Sequence, residues 1–139
     1  MAKTDKNAKH KSAMKKQKAK VDASIAAADT ERGVALLLTG DGKGKSSSAF
    51  GMVMRALGYG QKVGVVQFIK SDPDAAECKL LSRFAQVDFH VAGAGCTWQT
   101  APQLNLAAAQ RGWMEVERML DDPRYHLLLL DELNLALKY

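Results

Sequence analysis

The chain has 139 residues, of which 47% are hydrophobic and 25% charged, a composition typical of one packed globular domain. No apolar run reaches the roughly 20 residues that a membrane-spanning helix needs, and no apolar signal core follows the N-terminus. The two cysteines, Cys78 and Cys96, lack metal-ligand spacing and exclude a disulfide-rich scaffold. We therefore expect a cytoplasmic protein with both thiols free.

The net charge of +5 is placed unevenly along the chain. Residues 1–20 contain eight Lys and one Asp, so this segment carries +7 and the remainder carries −2. Because it combines like charges with few apolar residues, we expect it to be disordered by itself. It is either a solvated leader or an arm that binds nucleic acid or another anionic ligand. Residues 21–28 favour a short helix, which gives a predicted N-terminal segment at residues 1–29.

The rest of the chain alternates between apolar strands and amphipathic helices. Strands are predicted at residues 34–38, 63–68, 87–91 and 127–130, and helices at residues 46–57, 75–84 and 103–120. Two helices carry apolar residues that are predicted to face the core: Leu80, Leu81 and Phe84 in one, and Leu106, Ala109, Trp113, Val116 and Leu120 in the other. Strands that are apolar on both faces indicate an α/β fold with a mostly parallel sheet and helices on both faces.

Residues 39–46 read Thr-Gly-Asp-Gly-Lys-Gly-Lys-Ser and lie directly between a predicted strand and a predicted helix. Glycines allow backbone N–H groups to approach phosphate oxygens, and the positive end of the following helix adds to the anion site. Lys45 would reach the outer phosphates, and the Ser46 hydroxyl would ligate Mg²⁺. The predicted ATP-binding residues are Gly40, Asp41, Gly42, Lys43, Gly44, Lys45, Ser46 and Ser47.

Four leucines at residues 127–130 are followed by Asp131 and Glu132. An apolar strand that ends in an acid, downstream of a phosphate-binding loop, is expected to supply the second Mg²⁺ anchor. Either acid could hold the ion, directly or through water, and the other could polarise a nucleophile. Kinases, hydrolases and motor proteins share a phosphate-binding loop and an acidic strand end, so these motifs do not identify the reaction.

Further segments fall in the order of a known family: residues 20–23, 31–33, 49–51, 65–70, 95–98 and 130–134. With them, residues 20–139 closely resemble the ATP:corrinoid adenosyltransferases, which act on cob(I)alamin and cob(I)yrinic acid a,c-diamide. The resemblance implies a P-loop NTPase-like (RecA-like) domain at residues 30–139. It also implies transfer of the 5′-deoxyadenosyl group of ATP to Co(I) of a reduced corrinoid, with release of triphosphate, in adenosylcobalamin biosynthesis or salvage.

The resemblance also implies roles for individual residues. Cobalt is the nucleophile, so no catalytic side chain is expected, and Lys45 stabilises the leaving triphosphate. Mg²⁺ is assigned to Ser46, Asp131 and Glu132, and the corrinoid to Val21, Cys96, Thr97 and Trp98. Two positions depart from the family: Asp41 replaces a common Asn, and Cys96 replaces a frequent aromatic. We interpret Cys96 as a small buried thiol rather than a cobalt ligand.

The expected partners also follow from the resemblance. They are a reducing flavoprotein and a second copy of the chain in a homodimer. Nucleic acid is not expected, because residues 21–28 match a helix that folds over the corrinoid, and no membrane is expected, because no apolar run is long enough to span one. Family members continue beyond Tyr139, so a shortened form with an incomplete sheet is expected. Two alternatives stay open: a P-loop ATPase or kinase in which Glu132 activates water or a hydroxyl, and a non-catalytic nucleotide- or corrinoid-binding module.

Overall fold

The computed structural model describes residues 2–69, 75–93 and 102–138. The chain divides into two compact units, Met1–Leu37 and Leu38–Tyr139. No helix in the described ranges is both long and apolar enough to span a bilayer.

The first unit is built mainly from helix α1, Ala2–Ala26. The structure here differs from the expected disordered tail, because the lysine-rich segment is helical along its length. Its Ala, Lys, Gln and Met residues have high helix propensity, and its described side chains from residue 6 onwards are all exposed. The lysines from residue 6 onwards are therefore exposed to solvent, so their like charges do not prevent the helix from forming.

The second unit contains the remaining helices and strands. They are α2 (Lys45–Gly58), β1 (Lys62–Gln67), α3 (Ala76–Leu81), β2 (Val87–Val91), α4 (Pro102–Leu120), β3 (Tyr125–Asp131) and α5 (Leu133–Ala136). The three strands form a parallel sheet in the order β2-β1-β3. The expected α/β class and parallel sheet are confirmed for this part of the chain.

Alternate side chains of β1 pack on opposite faces of the sheet. Val63 and Val65 join a core with Phe50 and Val53 of α2. Val66 joins a second core with α4 and α5 on the other face. Helices therefore cover both faces, and this explains why β1 is apolar on both sides.

The register of β1 and β3 brings two polar residues together at the carboxyl ends of the strands. Val63 pairs with Leu127, Val65 with Leu129, and Gln67 with Asp131. Because side chains two residues apart lie on the same face, Gln67 and Asp131 face the side of the sheet that α2 covers.

The predicted strand at residues 34–38 is wrong. These residues have no regular secondary structure, and Val34, Leu36, Leu37 and Leu38 are exposed. A strand requires backbone hydrogen bonds to a neighbour, and the sheet formed by the described residues contains only β1, β2 and β3. An apolar run alone therefore did not determine a strand here.

The predicted core face of α4 is only partly correct. Val116 is buried as expected, whereas Leu106, Trp113 and Leu120 are exposed. The buried face consists instead of Asn105, Ala108, Gly112, Val116 and Met119. A Cβ at Gly112 would lie 2.7 Å from Cβ of Ala92. At Gly112 the helix approaches the sheet too closely for a larger side chain, so the packed face combines small residues with Val116 and Met119.

Helix α3 is shorter than predicted, and its buried side chains are Cys78 and Leu81. Leu80 and Phe84, which were expected to share the core face with Leu81, are exposed. Six residues make fewer than two turns, so only one narrow side of this helix reaches the sheet.

Candidate nucleotide-binding site

The loop between residues 38 and 45 depends on two glycines with positive φ. Gly40 has φ 133° and Gly44 has φ 108°, values that side-chain-bearing residues rarely adopt. Gly42 is not among the residues with positive φ. The backbone reversal that the sequence predicts is therefore made at the first and last of the three glycines.

Helix α2 begins at Lys45 without a side-chain cap. Its N-cap residue is Gly44, no side chain accepts a hydrogen bond from its first turn, and that turn contains no acidic residue. The first N–H groups of a helix need an acceptor, and their partial positive charge favours an anion. This helix end is therefore a suitable binding site for a phosphate group.

Lys45 points back over the loop. Its Nζ donates hydrogen bonds to the carbonyl oxygens of Gly40, at 2.6 Å, and of Gly42, at 2.7 Å. An ammonium group has three N–H donors, so a third remains for a phosphate oxygen. The two bonds hold the positive charge against the backbone of the loop, at the start of α2.

Ser46, the second residue of α2, contacts the end of β3. Its Oγ donates a hydrogen bond of 2.9 Å to Oδ1 of Asp131. Asp131 is buried, and Ser46 is partly buried. The structure thus brings together two of the three residues that were assigned to Mg²⁺, although they are 85 positions apart.

Gln67 is a residue of this site that the sequence patterns did not single out. Its Nε2 donates a hydrogen bond of 3.0 Å to Oδ2 of Asp131. The side chain is fully buried, and its Oε1 has no partner in the described structure. The signal in the sequence is a lone amide at the end of the apolar run that begins at Val63.

Glu132 follows Asp131 in a left-handed backbone conformation, with φ 63° and ψ 25°. It is the one non-glycine residue with positive φ in the described ranges. Such a conformation costs on the order of 1–2 kcal/mol for a residue with a Cβ. Strained residues of this kind concentrate at functional sites.

The oxygen donors of Ser46 and Asp131 suit Mg²⁺. Mg²⁺ usually binds one or two carboxylates together with substrate phosphates and keeps several waters, rather than sitting in a complete protein cage. Accordingly, the described residues contain no cluster of three or more His, Cys, Asp or Glu side chains, and this donor set does not need one. The residues present therefore fit a magnesium–nucleotide complex.

The other predicted site residues are placed as follows. Asp41, Lys43 and Ser47 are exposed in the loop and the first turn of α2. Val21 is exposed on α1, in the first unit. The predicted corrinoid residues Cys96, Thr97 and Trp98 lie outside the described residues.

Histidine and tryptophan residues outside this loop make local contacts. Nε2 of His90 lies 3.7 Å from a carboxylate oxygen of Glu115, and Nδ1 of His126 lies 2.9 Å from the carbonyl oxygen of Arg124. The indole N–H of Trp113, which was expected in the core, instead donates to Glu117 at the surface.

Comparison with known proteins identifies the family. Residues 31–139 match the family model described as ATP:corrinoid adenosyltransferase BtuR/CobO/CobP. The chain is 50% identical to a corrinoid adenosyltransferase of Pseudomonas aeruginosa over 137 residues, which are 97% of this chain and 68% of that protein. It is 45% identical to a corrinoid adenosyltransferase of Escherichia coli K12 over 123 residues, 88% of this chain and 62% of the relative.

A corrinoid adenosyltransferase of Sinorhizobium sp. is 37% identical over 136 residues, 96% of this chain and 64% of the relative. The chain thus spans about two thirds of the length of these relatives. The family match includes the phosphate-binding loop, Gln67 and the Asp131 end of β3. On the evidence of these sequence matches, the chain belongs to the ATP:corrinoid adenosyltransferase family.

Proposed function

We propose that this chain transfers the 5′-deoxyadenosyl group of ATP to the cobalt of a reduced corrinoid, in adenosylcobalamin biosynthesis or salvage. The observation that carries the proposal is the family match over residues 31–139, which contains both the loop and the buried Asp131. The proposal includes a P-loop type of nucleotide-binding domain and Mg²⁺ as cofactor.

In this reaction, Co(I) supplies an electron pair to C5′ of the ribose. A Co–C5′ bond forms, the C5′–O bond breaks, and the electron pair of that bond leaves with the intact triphosphate. Cobalt is thereby oxidised from Co(I) to Co(III). The nucleophile belongs to the substrate, so the protein has to position ATP and stabilise the charge of the leaving group.

The residues of the loop are suited to this task. The N–H groups at the start of α2 and the ammonium of Lys45 place positive charge where the triphosphate would bind. Ser46 and Asp131 would hold Mg²⁺, which neutralises phosphate charge, and Glu132 directly follows Asp131 in the chain. A triphosphate held this way is a better leaving group because the charge that develops on it is already compensated.

The corrinoid side of the site rests on resemblance. Trp98, with Thr97 and Cys96, would cover one face of the corrin, and Val21 on α1 would contribute an apolar contact. Shielding that face removes the axial ligand of cobalt and makes reduction to Co(I) easier. A reducing flavoprotein is proposed as the electron donor, and a cytoplasmic homodimer as the working state.

The test is a product assay with ATP, Mg²⁺ and a corrinoid reduced chemically to Co(I). We expect an adenosyl–cobalt product, detected by its absorption spectrum and its loss on illumination, together with one triphosphate per product. ADP or orthophosphate, formed equally without the corrinoid, would instead establish the ATPase or kinase alternative. ATP or corrinoid binding without any product would establish a non-catalytic binding module.

A substitution in residues 96–98, which are assigned to the corrinoid, tests corrinoid binding separately from ATP binding. Trp98→Ala should slow adenosyl transfer and leave ATP binding unchanged. Trp113→Ala is the matched control, because Trp113 is an exposed tryptophan of α4. If Trp98→Ala transfers adenosyl at the rate of the unmodified chain, the assignment of residues 96–98 to the corrinoid is wrong.

A further inference from the structure

Gln67 is a polar side chain in a position that packing alone would give to an apolar one. It is 0% exposed, and the residues that share its face of β1, Val63 and Val65, belong to the core on the α2 side. An amide buried in such surroundings is favourable only when it is hydrogen-bonded. Its contacts therefore indicate why a glutamine is present.

The side chain of Gln67 hydrogen-bonds to the carboxylate of Asp131, which also accepts a hydrogen bond from Ser46. Nε2 of Gln67 donates to Oδ2 of Asp131 at 3.0 Å, while Oγ of Ser46 donates to Oδ1 at 2.9 Å. Each oxygen is thus held by a different donor, and the two donors come from a strand and a helix. The register of the sheet places Gln67 directly beside Asp131, so rotation of the carboxylate would break at least one of these bonds.

The carbonyl oxygen of the Gln67 amide contributes no hydrogen bond within the described part of the chain. Oε1 of Gln67 is buried and has no hydrogen-bond partner there. A methionine would fill a similar volume without burying an unpaired acceptor. The unpaired Oε1 is therefore a cost of having glutamine at this position, and the bond from Nε2 to the buried carboxylate of Asp131 offsets it.

We propose that Gln67 is a positioning residue that fixes the orientation of the Asp131 carboxylate for a magnesium–nucleotide complex. The inference rests on the proposed nucleotide-binding role of the loop and assigns a function to a residue outside it. Gln67 acts through Asp131, as the hydrogen-bond partners of metal-binding carboxylates do.

The experiment measures ATP binding to the 139-residue chain by calorimetry, with excess Mg²⁺ and with EDTA. Gln67→Met should weaken binding by about tenfold with Mg²⁺ and by less than about twofold with EDTA, because loss of such a partner typically reduces metal affinity 10–100-fold. Met119→Leu, a substitution at another fully buried position, should change neither value. An equal loss in both conditions, or no loss, would overturn the proposal.

A double-mutant cycle tests whether Gln67 acts through Asp131. In an Asp131→Asn background, Gln67→Met should cause no further weakening with Mg²⁺. Independent, additive effects would show that Gln67 acts by another route. Thermal unfolding verifies that each variant folds. If Gln67→Met does not fold, Gln67→Asn keeps an amide but shortens its reach, and the same Mg²⁺-specific loss is expected.

The ATP-binding measurements and the product assay together distinguish failure of the Gln67 proposal from failure of the proposed function. If the unmodified chain binds ATP more tightly with Mg²⁺ but forms no adenosyl–corrinoid, the proposed function fails and the role of Gln67 stands. If Mg²⁺ does not strengthen ATP binding in the unmodified chain, the role of Gln67 is wrong, whichever products the chain forms.

Discussion

Ser46 donates a hydrogen bond of 2.9 Å to Asp131 and so joins two sequence motifs that lie 85 positions apart. The contact places the start of α2 against the carboxyl end of β3. Ligands of open parallel sheets typically bind at the carboxyl ends of the strands. The loop and the acidic strand end therefore belong to one site, and the predictions below test its parts separately.

Replacing Lys45 by alanine should weaken ATP binding. The variant loses a positive charge that is held above the loop by the carbonyl oxygens of Gly40 and Gly42. Hydrogen bonds to charged groups contribute about 1.5–3 kcal/mol, so we expect affinity to fall roughly 10–100-fold in calorimetric titrations. Lys138→Ala is the control, because Lys138 is an exposed lysine outside the loop. Equal losses in the two variants would contradict a specific role for Lys45.

Replacing Gly44 by alanine should strain the loop. Gly44 has φ 108°, which an alanine adopts only at a cost of about 1–3 kcal/mol. Space is not the limitation, because a Cβ at Gly44 would meet nothing within 4 Å. Gly42→Ala is the matched control, since Gly42 is equally open but is not among the residues with positive φ. Urea unfolding should show a lower stability for Gly44→Ala alone; similar values for both variants would exclude backbone strain as the cause.

Local patterns in the sequence predicted the second unit well. Helix α2 and strands β1, β2 and β3 lie within a few residues of their predicted positions, because hydrophobic periodicity and glycine stops report directly on such elements. The proximity of Ser46 to Asp131 was also expected, because the phosphate-loop pattern and the acidic strand end both pointed to one Mg²⁺, although the segment before the loop is not a strand of the sheet.

The predictions differ from the structure where contacts with another part of the chain determine the local conformation or packing. Residues 34–38 are as apolar as β1 but are not part of the sheet of described strands. The orientation of α4 depends on the small residues Ala108 and Gly112, which a search for large apolar side chains overlooks. Gln67 was missed because only the register shows that it lies beside Asp131.

Two glycine substitutions should have opposite effects on stability. A Cβ at Gly64 would lie 2.7 Å from Cδ2 of Leu128 and would also meet Met119, so Gly64→Ala should cost about 1–3 kcal/mol through overpacking. Gly51 lies inside α2, and a Cβ there would meet nothing within 4 Å. Gly51→Ala should therefore stabilise the chain by up to about 1 kcal/mol. Chemical denaturation measures both, and a neutral Gly64→Ala would show that the side chains of Met119 and Leu128 can move aside.

Stability should depend on pH through Asp88 at the opposite end of the sheet. The hydroxyl of Tyr125 donates to Asp88, and Lys62 lies 3.0 Å from the same carboxylate. Mainly through the bond from Tyr125, these contacts lower the pKa of Asp88 below its ordinary value of 3.8. A lowered pKa in the folded state stabilises the protein above about pH 4, and this stabilisation is lost as the pH falls through the lowered value.

Tyr125→Phe removes the main cause of this shift. We expect a loss of at most about 1 kcal/mol at pH 7, because Asp88 is partly exposed. The difference from the unmodified chain should shrink as the pH falls from about 4 through the lowered pKa of Asp88, below which the carboxylate is protonated in both. Tyr59→Phe, at an exposed tyrosine, should have no effect at either pH. A difference that is the same at pH 7 and pH 3 would argue against the Asp88 bond.

Replacing Glu132 by glycine should separate stability from activity. The residue adopts φ 63°, which glycine tolerates without steric cost. Relief of this strain is partly offset by the greater flexibility of unfolded glycine, so Glu132→Gly should be as stable as the unmodified chain or up to about 1 kcal/mol more stable. Loss of the carboxylate should nevertheless reduce Mg²⁺-dependent adenosyl transfer.

Glu132→Gln is the control for this prediction. It keeps the Cβ and therefore the strain, but it removes the charge, so stability should not rise while adenosyl transfer still falls. Urea unfolding and the corrinoid assay, applied to both variants, test the two effects independently. If Glu132→Gly proves less stable than Glu132→Gln, the conformation of this residue is not strained. If both variants transfer adenosyl at the unmodified rate, the carboxylate has no part in the reaction, and the left-handed turn serves only to begin α5.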